Sequence, residues 1–178
     1  MKHKGLFLDR DGVLINYVPY LSHADQVVTL PGAGQALRQW QQAGYLLIVI
    51  TNQSGIGRGY FTTEDVAAVH QRMQAYYQRD NVTFHDILIC PHTPSDRCSC
   101  RKPSPQLVLQ AAEQYHIDLS QSFFVGDAPS DIECAQNAGC QPVLVLTGRG
   151  KDTQQALINQ NIQVPTFRDL ADMTVLLG

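Results

Sequence analysis

Gly5-Leu6-Phe7-Leu8-Asp9-Arg10-Asp11-Gly12 sets a short apolar run directly against two carboxylates. The run has no polar face, so an extended segment built from it needs cover on both sides, as a strand has between two helical layers. Asp9 and Asp11 lie two residues apart, which on an extended backbone turns both side chains the same way. The pattern recurs along the chain. Residues 46–50 run into Thr51-Asn52-Gln53-Ser54-Gly55, residues 87–89 into a cysteine-rich segment, and residues 123–125 into Gly126-Asp127, with another apolar run at 143–146. Helical periodicity fills the intervals at 34–43, 63–77, 106–115, 130–137 and 153–159. Gly44 follows the first of these, Ser104-Pro105 precedes the third and Gly139 follows the fourth, as helix ends require. Strand and helix alternating throughout predict an α/β fold, a doubly wound, mainly parallel, Rossmann-like sheet. Such sheets bind ligands outside the carboxyl ends of their strands, which is where the polar groups fall.

With 178 residues the chain suits one domain over 1–178. Hydrophobic residues make up 44% and charged residues 16%, enough apolar surface for a packed core. A net charge of −3 gives no electrostatic case for nucleic acid or an anionic membrane as partner. No stretch reads as a membrane-spanning helix, and the first apolar run ends too soon, at Asp9, for a secretory signal. Five cysteines, three of them in one short segment, fit a reducing compartment better than a disulfide scaffold. The expectation is a cytoplasmic monomer acting on a small molecule.

That segment reads Cys90-Pro91-His92-Thr93-Pro94-Ser95-Asp96-Arg97-Cys98-Ser99-Cys100-Arg101-Lys102-Pro103. Cys90, His92, Cys98 and Cys100 can close one tetrahedral Zn²⁺, with Zn–S about 2.3 Å and Zn–N about 2.0 Å. A disulfide would leave His92 and the paired Cys-x-His and Cys-x-Cys spacings unexplained. Four protein ligands leave no vacancy for water, so the zinc is expected to be structural, a zinc-stabilised loop that presents Arg101 and Lys102. Asp9, Asp11 and Asp127 call for a different cation: oxygen-rich ligation at strand ends suits Mg²⁺ with substrate phosphate oxygens in its shell.

Asp9-x-Asp11-Gly12, Thr51-Asn52-Gln53, Lys102-Pro103 and Gly126-Asp127-x-x-x-Asp131 resemble, in order and spacing, the four signature motifs of the haloacid dehalogenase superfamily of phosphatases. The segment 51–59, the cysteine loop and Leu144-Val145-Leu146-Thr147-Gly148 look like the branch that dephosphorylates heptose 1,7-bisphosphate. The short interval between His92 and Cys98 looks like the branch acting on histidinol phosphate, the alternative substrate. The resemblance implies that Asp9 attacks phosphorus and forms an aspartyl-phosphate. Asp11 then protonates the leaving oxygen and deprotonates the attacking water, touching Mg²⁺ through its backbone carbonyl while Asp9 and Asp127 supply side-chain oxygens. Thr51 and Lys102 hold the transferring phosphoryl oxygens. Asn52, Gln53, Ser54, Arg101 and Lys102 bind substrate. Asp131 admits several readings: support of the Asp127 loop, support of the metal's water shell, or a charge at a helix N-terminus.

Two positions depart from the pattern: Val13 stands where relatives usually have Thr, and Ala128 where they carry Lys or Arg, so one cation near Asp127 is missing. The intervals after Asp11 and Thr51 are too short for a cap domain, so residues 16–28, 54–62 and the zinc loop are expected to rim the site. Cys134, Cys140, Trp40, Tyr76 and Tyr77 read as packing residues. His3, His23, His70, His85 and His116 read as surface or helix residues.

Overall fold

The computed structural model describes residues 2–178. The elements run β1 (Lys4–Leu8), α1 (Ala33–Gln42), β2 (Tyr45–Asn52), α2 (Ser54–Gly57), α3 (Thr63–Gln78), β3 (Asp86–Cys90), α4 (Gln106–Gln114), β4 (Phe123–Gly126), α5 (Pro129–Ala138), β5 (Gln141–Val145), α6 (Gly150–Asn159) and β6 (Thr166–Phe167). The six strands form one sheet in the order β3-β2-β1-β4-β5-β6, each pairing parallel.

The alternation within β1 explains why it is apolar at every position. Leu6 and Leu8 join a core with Trp40 of α1 and Val69 and Met73 of α3, whereas Phe7 faces the opposite core, with Val108 and Ala111 of α4 and Ala135 of α5. Each such side chain, fully buried, is worth about 1.5–3 kcal/mol. Trp40, Tyr77, Cys134 and Cys140 are buried, as packing residues should be. Among the described residues no cap domain stands over the strand ends.

Element ends differ from the expected ones by up to three residues, and short elements are added. The fifth strand begins at Gln141, the last helix at Gly150, and both α2 and the two-residue β6 are additional. Helix α3 opens with a reciprocal cap in which Asp65 N donates to Thr62 Oγ1 at 3.1 Å and Thr62 N to Asp65 Oδ2 at 2.8 Å. Helix α5 is different. Ala128 precedes it and cannot cap with a side chain, so Asp131 takes the task and reaches into the site.

Candidate active site

Strand order reverses between β1 and β4, and Asp9 lies at that switch point, with its N–H donating to Val125 O at 3.0 Å. Asp9 Oδ1 accepts from Arg10 N at 2.7 Å and pairs with Lys102 Nζ at 2.9 Å. The same ammonium pairs with Asp131 Oδ1 at 2.7 Å and donates to Ile50 O at 2.9 Å. Burial works against the charge of Lys102, but Asp131 and Asp9 outweigh it and hold the ammonium well above its ordinary range. The loop carrying Lys102 is strapped to β2, since Lys102 N donates to Asn52 Oδ1 at 3.1 Å and Asn52 Nδ2 to Lys102 O at 3.2 Å.

Asp127 is completely buried. Its Oδ2 accepts from Arg149 N at 2.8 Å, while Oδ1 has no hydrogen-bond partner. Gly12 (φ +82) and Gly148 (φ +55) flank this carboxylate so closely that a Cβ on either would stand 2.2 Å from Oδ2. Asp131 supports the Asp127 loop and caps the helix at once: Oδ2 accepts from Asp127 N and Ala128 N at 3.1 and 3.0 Å, and Oδ1 faces Lys102. Burial, then the charge of Asp9, pushes Asp127 up to about 7 and Asp131 up to about 6, with Lys102 countering in part for Asp131.

Asp9, Asp127 and Asp131 bring one oxygen each within 4.8 Å of one another. Three buried carboxylates share one buried ammonium, with only the half-exposed Arg149 guanidinium beyond it, 3.8 Å from Asp127 Oδ1, so the set is under-neutralised and the oxygen without a hydrogen bond marks where further positive charge belongs. Hard oxygen donors at such a spot fit Mg²⁺. The Asp11 side chain stands apart from this set. Its two oxygens take the fork of Arg10, Nε to Oδ2 at 3.1 Å and Nη2 to Oδ1 at 3.0 Å, and Gln53 Nε2 donates to Oδ2 at 3.0 Å.

These shifts set a pH dependence. Asp127 and Asp131 have folded-state pKa values raised from 3.8 to about 7 and about 6, so the folded protein holds protons that the unfolded chain has lost. Metal-free stability therefore falls as pH rises from about 4 to about 7. A cation that binds the ionised carboxylates reverses the loss, adding about 2.7 kcal/mol at one hundred times its dissociation constant. Melting with and without Mg²⁺ is expected to show a small gain at pH 5 and a gain of several degrees at pH 8. Equal gains at both would contradict this account.

The polar groups open onto a cavity of about 270 Å³, with Asp9, Asp11, Gln53, Ser54, Arg101 and Lys102 on its wall. Tyr17, Tyr20 and Phe61, from the segments 16–28 and 54–62, line it as well. Thr51 is buried, its hydroxyl accepting from Gln53 Nε2 at 2.9 Å. Asn52 lines the cavity with its amide committed to Lys102, and Arg101 Nη1 donates to His92 O at 3.3 Å. Arg149 also lines the cavity, its guanidinium 3.8 Å from Asp127 Oδ1 and 5.0 Å from the Tyr17 ring centre. The positive charge that Ala128 does not provide thus comes from the loop after β5. Arg149 was not anticipated, although its place just past a strand end was the available signal.

In the cysteine loop, Cys90, His92, Cys98 and Cys100 all offer a ligand atom within 4.8 Å of one another. The sulfurs of Cys98 lie 3.6 Å from Cys90 and 3.7 Å from Cys100, near the roughly 3.8 Å edge of a tetrahedron with 2.3 Å bonds. Cys90 and Cys100 are 3.0 Å apart, far beyond a disulfide bond of about 2.05 Å, and both are free thiols.

Residues 99–173 match the model of the HAD-hydrolase-like family. D-glycero-beta-D-manno-heptose-1,7-bisphosphate 7-phosphatase of Pseudomonas putida is 41% identical over 170 residues, 94% of this chain and 95% of that protein. The enzyme of the same name from Helicobacter pylori is 36% identical over 172 residues, 96% and 97%. The crystal structure of D,D-heptose 1.7-bisphosphate phosphatase from B. bronchiseptica, complexed with magnesium and phosphate, superimposes with a TM-score of 0.90 at 36% identity, covering 98% of this chain and 97% of that one. The strand-end carboxylates, the buried lysine and this likeness over nearly the whole chain agree: the protein belongs to the HAD-like hydrolases, in the family of the D-glycero-β-D-manno-heptose-1,7-bisphosphate 7-phosphatases.

Proposed function

We propose that this chain is a Mg²⁺-dependent phosphatase that removes the 7-phosphate of D-glycero-β-D-manno-heptose 1,7-bisphosphate through an aspartyl-phosphate on Asp9. The observation that carries this reading is Lys102 Nζ, buried between Asp9 Oδ1 at 2.9 Å and Asp131 Oδ1 at 2.7 Å at the floor of a cavity lined by Arg101 and Arg149. Asp9 and Asp127, with the Asp11 carbonyl, would hold Mg²⁺, which supplies positive charge to the transferring phosphoryl group when bound. Lys102 neutralises the same group from the protein side, fixed before the substrate arrives. Asp9 forms the bond to phosphorus as the sugar oxygen leaves, and Asp11 gives that oxygen a proton. Asp11 later takes a proton from the water that cleaves the aspartyl-phosphate. Gln53 completes the wall beside Asp11, with Thr51 buried behind it and accepting from Gln53 Nε2, and Ser54, Asn52 and Arg101 meet the rest of the substrate.

A bisphosphate suits the cavity because two arginines, Arg101 and Arg149, line it besides Lys102. The test is phosphate release from heptose 1,7-bisphosphate and from histidinol phosphate, side by side with Mg²⁺. Higher kcat/KM on the bisphosphate is expected; preference for histidinol phosphate, which the short His92–Cys98 interval would favour, would overturn the substrate assignment.

Zinc at Cys90, His92, Cys98 and Cys100 belongs to the same reading, as the clamp that carries Arg101 and Lys102. Stripping it with a zinc-selective chelator in excess Mg²⁺ is expected to lower kcat/KM by about 10²-fold, since a displacement of about 1 Å in positioning groups costs that much. Unchanged turnover with a folded, metal-free loop would refute the role. The free thiols of Cys134 and Cys140 fit a cytoplasmic setting, and we read the protein as a monomer.

A further inference from the structure

Arg10 is 1% exposed although it lies between two residues of the nucleophile motif. A guanidinium has five N–H donors and no acceptor, so burying it demands acceptors all round. Asp11 takes two of its hydrogen bonds, through the fork already described. The remaining terminal nitrogen, Nη1, stands 3.2 Å from Nε2 of His70, on the core side of α3. Because Arg10 can only donate, Nε2 must be the accepting nitrogen, which leaves the ring proton on Nδ1. Burial and then the charge of Arg10 push His70 down to about 3, so the ring is neutral and able to accept throughout the working pH range.

Arg10 and Asp11 are adjacent in sequence, and Arg10 must fold back on itself to present its fork to its neighbour. The two bonds to Asp11 leave the far nitrogen Nη1 to be met, and a rigid acceptor there restricts the side chain further. His70 is such an acceptor: it sits mid-helix, 6% exposed, in the row of buried residues Val66, Val69, Met73 and Tyr77. We propose that His70 is a positioning residue for phosphoryl transfer, accepting from Arg10 Nη1 so that the guanidinium fork holds the Asp11 carboxyl group facing the reacting oxygens. The inference rests on the acid–base role given to Asp11 above. It adds a third residue behind Asp11, on an element that otherwise takes no part in the site.

The test compares His70→Asn with His70→Gln in the full chain loaded with Mg²⁺ and Zn²⁺. Both substitutions are polar and neutral. The Gln amide oxygen reaches the place of Nε2, whereas the Asn oxygen falls short, near Nδ1. With heptose 1,7-bisphosphate, His70→Asn is expected to lose about tenfold in kcat with KM within about twofold, and His70→Gln to stay within about threefold of wild type. With p-nitrophenyl phosphate, whose leaving group departs without a proton, His70→Asn should still give a full first-turnover burst of p-nitrophenolate. Its later turnovers, which need Asp11 as base, should be slow. A general loss of structure would depress burst and turnover together. Wild-type kcat in His70→Asn, a Gln variant no better than Asn, or a lost burst would each overturn the inference. Asp9→Asn serves as the control: if it stays active the site reading itself fails, whereas if it is inactive and His70→Asn is normal, only the role of His70 fails.

Discussion

Asp9→Asn is expected to abolish turnover, by a factor on the order of 10⁴ in kcat, while the protein folds and binds phosphorylated ligands. The amide keeps the shape of the side chain and can still accept from Arg10 N, but it cannot form the bond to phosphorus. Rapid acid quench followed by intact-mass measurement should find covalent phosphate on the wild type during turnover and none on the variant. The same substitution should make the metal-free protein more heat-stable at pH 8. Asp9 is the largest charge acting on Asp127 and Asp131 beyond burial, and it raises both. Removing it relieves like-charge repulsion in a buried cluster, while Lys102 keeps its partner Asp131 at 2.7 Å. An inactive variant that melts higher than wild type would show that the site stores unfavourable electrostatic energy for the sake of chemistry. A variant with near-normal turnover would remove Asp9 from the nucleophile's place.

Much of the sheet was legible because burial on both faces leaves a plain mark: β1, β2 and β4 are apolar at consecutive positions, and each stops where water and ligand begin. The exceptions have physical causes. Strand β6 is two residues long at the sheet edge, too short to produce a run. Helix α2 is a single turn with two glycines, stabilised by its neighbours; Gly57 N, for instance, donates to Pro91 O at 2.9 Å. A Cβ at Gly55 would meet the Phe61 ring at 2.1 Å, so close packing rather than helix propensity chose that residue.

Within the site, Asp9, Asp11 and Asp127 could be read from their place after strand ends, since that placement is costly without a purpose, whereas Lys102, in the long loop past β3, was legible through the family resemblance. The residues behind them could not be read that way. A histidine in a helix looks the same whether it faces water or the core, and His70 was read as a surface or helix residue; it is on the helix, and buried. Its register with Val66, Val69 and Met73 was the usable signal, because those apolar positions mark the inward face. Arg10 was passed over because it sits between two more conspicuous aspartates. Which way a side chain folds back depends on what waits for it in three dimensions, and here that is a ring sixty residues away.

Lys102→Met is expected to damage both stability and turnover. Lys102 is the ammonium shared by Asp9 and Asp131, and it is 4% exposed. Removing one member of a buried ion pair costs about 3–5 kcal/mol when the partner stays charged. Here the partners can take up protons instead, so the cost depends on pH. The raised pKa of Lys102 keeps it charged throughout pH 5–8, so the pH dependence comes from the partners it leaves behind. In the variant Asp131 loses the counter-charge that restrains its upward shift, so the folded state binds protons more tightly still. Stability should then fall more steeply from pH 5 to pH 8 than in the wild type, as differential scanning calorimetry at the two pH values would read. Saturating Mg²⁺ should recover part of the stability at pH 8. It should leave kcat/KM down by about 10³-fold, because the donor fixed beside Asp9 in advance of the substrate is gone. Lys102→Arg separates the two losses: its charge should restore most of the stability. Its planar fork cannot place one donor among Asp9 Oδ1, Asp131 Oδ1 and Ile50 O as a compact ammonium does, so activity should stay low. If the arginine variant recovered both, the site would need only a positive charge there, and the three-acceptor geometry around Nζ would have no catalytic meaning.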